Sequence, residues 1–443
     1  MTDLFPPGWC YHYLSPENLD SEQISVEDRV LAANGPKFQA VVVPSNENFT
    51  LQALDSLKAF AQSGLPIIVL GGAQGYYSSA KEGSQADVTE SFNQLKKTAN
   101  VHVVDEGQLV SKLQSLGLQP RVGVTTKGTW RTTWREDESR GIGYAYIFND
   151  GPASSGIVDV QSVNQPYVFD AWTGERTPLL RYNTHNDTTS IPLDLAQHQS
   201  IILVFSKKRL PGIRSPVRNV VSAPPNIIGY RSNGSYDMLH AGASQHSGNA
   251  VLSDGSNLVV QGKAPAAFPL STWSLEAELW EAPANFEDAS STGTRRNVSY
   301  NLTNLTSWTH IPDLVNASGV GYYTSSFSWP PPHAAATNIS IGAYIRAPPA
   351  LNTVTFLINN HTLPPVDVYD PVIDITDYLV DGRNTVTAIV PTTMWNYVRT
   401  LLGKIRNADQ PPVFDTLHVP VPPVTENGLV GPVEIIPFES IFF

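Results

Sequence analysis

Few parts of this chain are suited to chemistry. Glu276, Glu278 and Glu281 stand together in "LEAELWE". Paired carboxylates are what most glycoside hydrolysis requires, one protonating the leaving oxygen while the other attacks or activates water. On a strand, Glu276 and Glu278 share a face with Trp280 while Glu281 points the other way. That is the pattern of a solvated sheet face, and no catalytic role is assigned to them. His240 and His246 lie six residues apart in a Gly/Ser-rich stretch, which is not a ligand spacing, and they are read as solvent-exposed. No H-E-x-x-H and no G-x-S-x-G elbow occurs. The single cysteine, Cys10, excludes an internal disulfide framework and a Cys-based zinc cluster. "LGGAQG" (Leu70–Gly75) follows a strand but lacks the spacing of a dinucleotide loop and the Lys-Ser/Thr of a P-loop. No cofactor and no metal are expected.

Aromatic residues offer more. Sugar rings stack their C–H faces on Trp and Tyr, so exposed aromatics mark carbohydrate sites. The candidates are Trp308, Tyr322, Tyr323, Trp329 and Trp395, with the sandwich interior as the competing place for each ring. Strand alternation forbids Tyr322 and Tyr323 from both facing a core. In "NASGVGYYTSSFSWPPP" (Asn316–Pro332), Gly319 and Gly321 point to turn geometry or close packing where the strand begins. Phe327 and one of the two tyrosines should point inward, and Pro330–Pro332 should end the strand.

The elements that position these residues follow from periodicity. Between about Ser25 and Thr126, apolar runs such as "FQAVVVPS" and "PIIVLGG" alternate with helical patterns. "TLQALDSLKAFAQSG" opens on a Thr cap and closes on Gly64, with Leu51, Leu54, Leu57 and Phe60 three residues apart. "VTESFNQLKKTA" and "GQLVSKLQSLG" read as further helices and "VHVVD" as a strand. Strands alternating with helices imply βαβ units and a parallel sheet. After Thr126 the helical period disappears, and "GYAYIFND", "GIVDVQS", "PYVFDAW" and "SIILVFS" suggest a small antiparallel β-sandwich. Later strands, from "STWSLEAELWEAP" to "NTVTAIVP", form a jelly-roll pattern.

The fold class expected is therefore multidomain, α/β plus all-β. An α/β domain spans residues 1–126, a β-sandwich 127–212, a linker with irregular loops 213–262, and a jelly roll 263–443. The linker region has room for a helix at "SYDMLHAGA".

Composition bounds the rest. A chain of 443 residues suits two to four domains, and 41% hydrophobic with 15% charged residues describes a folded protein. A net charge of -12 without a basic cluster disfavours nucleic acid, and no apolar run reaches the ~20 residues that span a bilayer. Nine N-x-S/T sequons, at Asn48, Asn186, Asn233, Asn297, Asn301, Asn304, Asn316, Asn338 and Asn360, favour a secreted lineage. "MTDLFPPGWC" has neither the basic nor the apolar region of a signal peptide, so either a leader belongs to a longer parent or, if the chain is complete, it is intracellular.

Taken in order, these pieces resemble the C-terminal part of fungal proteins similar to glycoside hydrolase family 106, the α-L-rhamnosidase-like family. "LSTWSLEAELW", "SWTHIPDLVNASGVGYYTSSFSW", "FLINNHTLPP", "YDPVIDITDYLVDGRNTVTAIV" and "TTMWN" look like its galactose-binding-like jelly roll. The hairpin departs from that pattern at Asn360, where glycine is usual. "FQAVVVPSNENFTLQALDSLKAFAQSGLPIIVLGG" is similar to an amidotransferase-like, Rossmann-like α/β domain that has lost its catalytic Cys.

The resemblance implies that the carboxylate acid and base lie on a (β/α)₈ barrel preceding these domains. Eight βα repeats do not fit before Phe38, so no catalytic residue is carried over. Three functions remain open. The chain is a non-catalytic half that assists carbohydrate recognition, an active glycoside hydrolase on plant or glycosylated substrates, or a module that docks a separate catalytic barrel. The parent family implies an extracellular location.

Overall fold

Thr50 and Gly64 bracket the first long helix. The Thr50 hydroxyl accepts from the Ala53 N–H at 3.1 Å, and Gly64, at φ +93°, turns the chain out of the helix. The computed structural model describes residues 8–19, 21, 24–78, 83–285, 288–331, 340–407 and 422–443. It divides into two compact units, Met1–Pro166 with Thr184–Lys208, and Tyr167–Asn183 with Arg209–Phe443. The chain is β-rich, and each unit is described by itself.

In unit 1, β1 (Val41–Val43), β2 (Ile67–Leu70) and β3 (Val101–Val104) pair in parallel in that order. Helices α1 (Leu51–Gln62), α2 (Gln85–Leu95) and α3 (Leu109–Ser115) alternate with them. Every residue of β2 is buried, as expected of a central parallel strand covered on both faces. Helix α2 begins three residues before its first buried residue, Val88, because Ser84 caps it through the Asp87 N–H.

The antiparallel part follows directly. Strand β4 (Val122–Thr126) pairs with β7 (Ser154–Val160), and β7 with β8 (Thr188–Leu195). A second sheet joins β5 (Trp130–Asp137), β6 (Ile142–Asn149) and β9 (Ser200–Ser206). The fully buried Trp130 on β5 donates to the Ser154 hydroxyl on β7 at 2.9 Å, linking the two sheets. The β-sandwich therefore starts with β4, ahead of the expected boundary at Thr126.

Unit 2 corrects the expected linker. Between residues 213 and 262 the chain forms β10 (Val220–Ser222), β11 (Ile227–Ser232), β12 (Asp237–Ala241), β13 (Gly248–Leu252) and β14 (Asn257–Val260). "SYDMLHAGA", with room for a helix, holds the strand β12 instead. Val220, Leu239, Ala241, Ala250, Leu252 and Val260 form one buried cluster. Its members come from four strands too short for any one of them to show a period.

Unit 2 continues through β15 (Trp273–Glu281), β16 (Thr294–Leu302), β17 (Gly319–Trp329), β18 (Ile341–Arg346), β19 (Thr355–Ile358), β20 (Val372–Asp374) and β21 (Gly382–Pro391). Helix α4 (Trp395–Asn407) and β22 (Glu434–Phe442) complete it. One sheet runs β11-β12-β22-β18-β20 and the other β16-β15-β17-β21-β19, with a buried core between them. Strand β16 was not anticipated, because most of its residues are exposed and its sequence, "TRRNVSYNL", is mainly polar.

Close packing explains the glycines at the start of β17. A Cβ at Gly319 would lie 1.9 Å from the Glu278 carbonyl oxygen, and one at Gly321 would lie 2.7 Å from the Tyr323 ring. Gly319→Ala must push β17 off β15. It should cost about 2–3 kcal/mol, read as a lower urea midpoint for unit 2, and an unchanged midpoint would refute the steric account.

Candidate functional site

Alternation along β15 and β17 decides which of their side chains meet solvent. Trp273, Leu275, Ala277 and Leu279 of β15 point into the core, as do Tyr323, Phe327 and Trp329 of β17. Glu276, Glu278 and Trp280 take the other face, where Glu276 sits opposite Tyr322 and Ser299. Tyr322 is 38% exposed there. The Trp280 indole donates to Glu278 Oε1 at 2.7 Å, and an Arg295 guanidinium nitrogen lies 3.3 Å from the same oxygen. Arg295 also rests over the Trp280 ring, 5.7 Å from its centre. Asn297 Nδ2 is 3.5 Å from Glu276 Oε1. Glu278 is thus engaged in holding the sheet surface together, while Tyr322 and the neighbouring Glu276 are presented outward.

The other aromatic candidates separate by position. Trp308 is fully buried and donates through Nε1 to the Tyr323 hydroxyl at 2.7 Å, which also accepts from the Leu429 N–H at 3.2 Å. Burial pushes the Tyr323 phenol above its ordinary pKa. Gly428, at φ +92°, passes so close that a Cβ there would meet the Tyr323 hydroxyl at 2.5 Å. Trp329 packs in the same core. These three rings fill the interior. Trp395, at the start of α4, is half-buried and donates to the Pro423 carbonyl at 3.2 Å. Among the five candidates, only Tyr322 and Trp395 keep surface toward solvent.

Eight of the nine sequon asparagines, Asn48, Asn186, Asn233, Asn297, Asn301, Asn304, Asn316 and Asn360, have exposed side chains. Asn338 lies outside the described residues. No group of three or more His, Cys, Asp or Glu side chains among the described residues is placed to hold a metal ion.

His240 corrects the reading of an exposed loop, whereas His246 is exposed as expected. His240 belongs to β12 and is 1% exposed, its ring stacked on Phe438 with centres 3.9 Å apart and planes within 8°. Its Nδ1 lies 2.6 Å from the Tyr344 hydroxyl. Nearby on β11, Arg231 bridges Asp374 at 3.0 Å and Asp377 at 3.2 Å. Two glycines make room for the cluster. A Cβ at Gly229 would lie 2.1 Å from the Tyr344 hydroxyl, and one at Gly342 would lie 2.6 Å from Phe438. Burial lowers the His240 pKa to about 4, with the Arg231 charge adding to the shift and Asp374 opposing it. Burial likewise raises the Tyr344 phenol. A neutral imidazole accepting the Tyr344 proton fits both directions.

Comparison with known proteins gives a fold. The structure of a rhamnosidase from Novosphingobium sp. PP1Y matches with a TM-score of 0.57 and 18% identity, over 98% of this chain and 36% of that one. The chain thus shares its fold across nearly its whole length, while spanning little more than a third of the rhamnosidase. An exo-carrageenase of family GH42 from Bacteroides ovatus matches at a TM-score of 0.23 and 12% identity, over 39% of this chain and 23% of that one. Gan42B, a GH42 β-galactosidase, matches at 0.24 and 9%, over 38% and 32%. No protein-family model and no curated protein sequence matches the chain.

The buried imidazole predicts a pH dependence. The folded-state pKa of about 4 lies below the ordinary 6.5, so the unfolded chain takes up this proton first as pH falls. Stability should be fully present above pH 6.5 and decline toward pH 4, by roughly 3 kcal/mol from this group. Denaturant unfolding across that range should lose the corresponding slope in His240→Gln, and equal slopes in both proteins would show that the imidazole is not the source.

Proposed function

We propose that this chain is a non-catalytic part of an α-L-rhamnosidase-like glycoside hydrolase, and that it supports or assists carbohydrate recognition. The observation that carries the reading is the fold likeness to a rhamnosidase over 98% of the chain. A match over that share of the chain draws in the α/β part, the sandwich and the jelly roll together, in the order that the resemblance to family 106 implies. On this reading the parallel β1-β2-β3 segment is the amidotransferase-like domain, and the last domain is the galactose-binding-like jelly roll. Its placement in family 106, its fungal lineage and an extracellular, glycosylated parent belong to the same proposal, which the exposed sequon asparagines favour.

The non-catalytic part of the reading draws on Glu276 and Glu278. They sit on a sheet surface, with Glu278 bound to Trp280 and Arg295 and Glu276 beside Asn297. Carboxylates so arranged suit a rigid polar platform beside Tyr322 better than an acid–base pair flanking a scissile bond. The same coverage supports a second reading, in which the chain docks a separate catalytic barrel, because this chain corresponds to only 36% of the rhamnosidase.

Calorimetric titration with rhamnose, galactose and pectic oligosaccharides should give dissociation constants of about 1 mM, near −4 kcal/mol. Oligosaccharide binding should weaken several-fold in Tyr322→Ala. Turnover of aryl rhamnosides by the purified chain, abolished by Glu276→Gln, would overturn the non-catalytic assignment.

A further inference from the structure

Unit 1 contains a cavity of about 880 Å³, bounded by the segment 8–14, the stretch 30–44 and the strand residues 132–138. Ligand pockets run to roughly 300–1,000 Å³, so there is room for more than one small ring. Its wall is anchored at Gly8. A Cβ there would lie 2.0 Å from the Val122 carbonyl oxygen, and the buried Thr132 hydroxyl donates to the Gly8 carbonyl at 2.9 Å. Only glycine lets the chain pass so close to β4, and the passage sets Trp9 and Tyr11 into the lining beside Phe38 and Trp134.

Charge and hydrogen bonding narrow the ligand class. The lining cations are matched within the lining itself, Lys37 pairing with Glu138, and Arg121 lying 3.5 Å from Glu136. Arg135 meets the His12 ring at 3.1 Å, and Asp137 and Glu47 add further negative charge. With no surplus of positive charge, an anionic ligand such as a phosphate or a uronate is disfavoured. The indole Nε1 atoms of Trp9 and Trp134 are buried and have no acceptor among the described residues. Buried donors left in that state are costly, and a ligand oxygen brought within reach by a small turn of either indole would supply what it lacks. An apolar tail would leave them unpaired.

We propose that this cavity binds a neutral saccharide of one or two rings. Its C–H faces would stack on the aromatic wall, and its hydroxyl oxygens would accept from the Trp9 and Trp134 indoles. The ligand class rests on the carbohydrate reading above, whereas the location, in unit 1 rather than on the jelly roll, follows from the cavity.

Calorimetry on the full chain with methyl α-L-rhamnoside, galactose and galacturonate tests it. The two neutral sugars should bind at about 1 mM and galacturonate should not. Trp9→Phe and Trp134→Phe keep a ring but remove the donor, and each should weaken binding roughly three- to tenfold. Tyr322→Ala should leave these monosaccharides unaffected. In the unmodified protein, the indole N–H resonances of Trp9 and Trp134 should shift on sugar addition, a readout independent of how well the variants fold. Monosaccharide binding that is lost in Tyr322→Ala, with both indole signals unmoved, overturns the cavity site and leaves the carbohydrate reading standing. Absence of binding by every sugar and oligosaccharide overturns both.

Discussion

The backbone pairing of the last strand, β22, is the constraint on which unit 2 depends. Over nine residues it pairs with β12 through Met238–Ala241 on one side and with β18 through Ile341–Arg346 on the other. Phe268 and Pro269 join it as well. Ile435 enters the jelly-roll core, Ile441 packs on the cluster shared by β10, β12, β13 and β14, and Phe438 stacks on His240. One strand thus closes a sheet whose other members lie about sixty to two hundred residues upstream. Such non-local pairing must meet the entropy of loop closure before it is rewarded by burial, so unit 2 is expected to fold more slowly than the local βαβ segment of unit 1.

The closing strand also explains why polar groups are tolerated inside. Once β22 lies between β12 and β18, His240 is flanked by Phe438 and Tyr344 and cut off from water, and its neutral form is the one that fits. The Trp308–Tyr323 pair is handled differently, with the indole and the Leu429 amide both donating to one phenol oxygen. Asn384 is treated likewise: it is fully buried, with its side chain bonded to Val380, Gly382 and Asn359. These groups find their partners among neighbouring strands and loops, which lets a core built from two sheets hold them.

Much of the fold was legible in the sequence where the signal is local. The Thr50 cap, the Gly64 stop and the apolar spacing of α1 define that helix without reference to anything else. The alternation of β17 correctly separates Tyr323, Phe327 and Trp329 from Tyr322. The candidate sugar-stacking residues were less legible. Alternation places a side chain on one face or the other, but it does not say whether that face is core or solvent, so Trp308, Tyr323 and Trp329 stood equal with Tyr322 until the sheets were paired. The cavity residues Trp9 and Trp134 carried no sequence signal, because only the folded chain brings residues so far apart to the lining of one cavity.

What the sequence determined by itself was therefore the type of the long periodic elements, the α/β-then-β order and the alternation along each long strand. Those follow from hydrogen bonds and side-chain spacing within a few residues. The tertiary structure alone decided that residues 213–262 are strands, that His240 is buried, and that Glu278 serves Trp280 and Arg295. In each case the environment comes from strand pairing, with β22 beside His240 and β16 beside Glu278. Burial and partner identity are properties of the pairing, and a local period of two or of 3.6 residues holds no record of it.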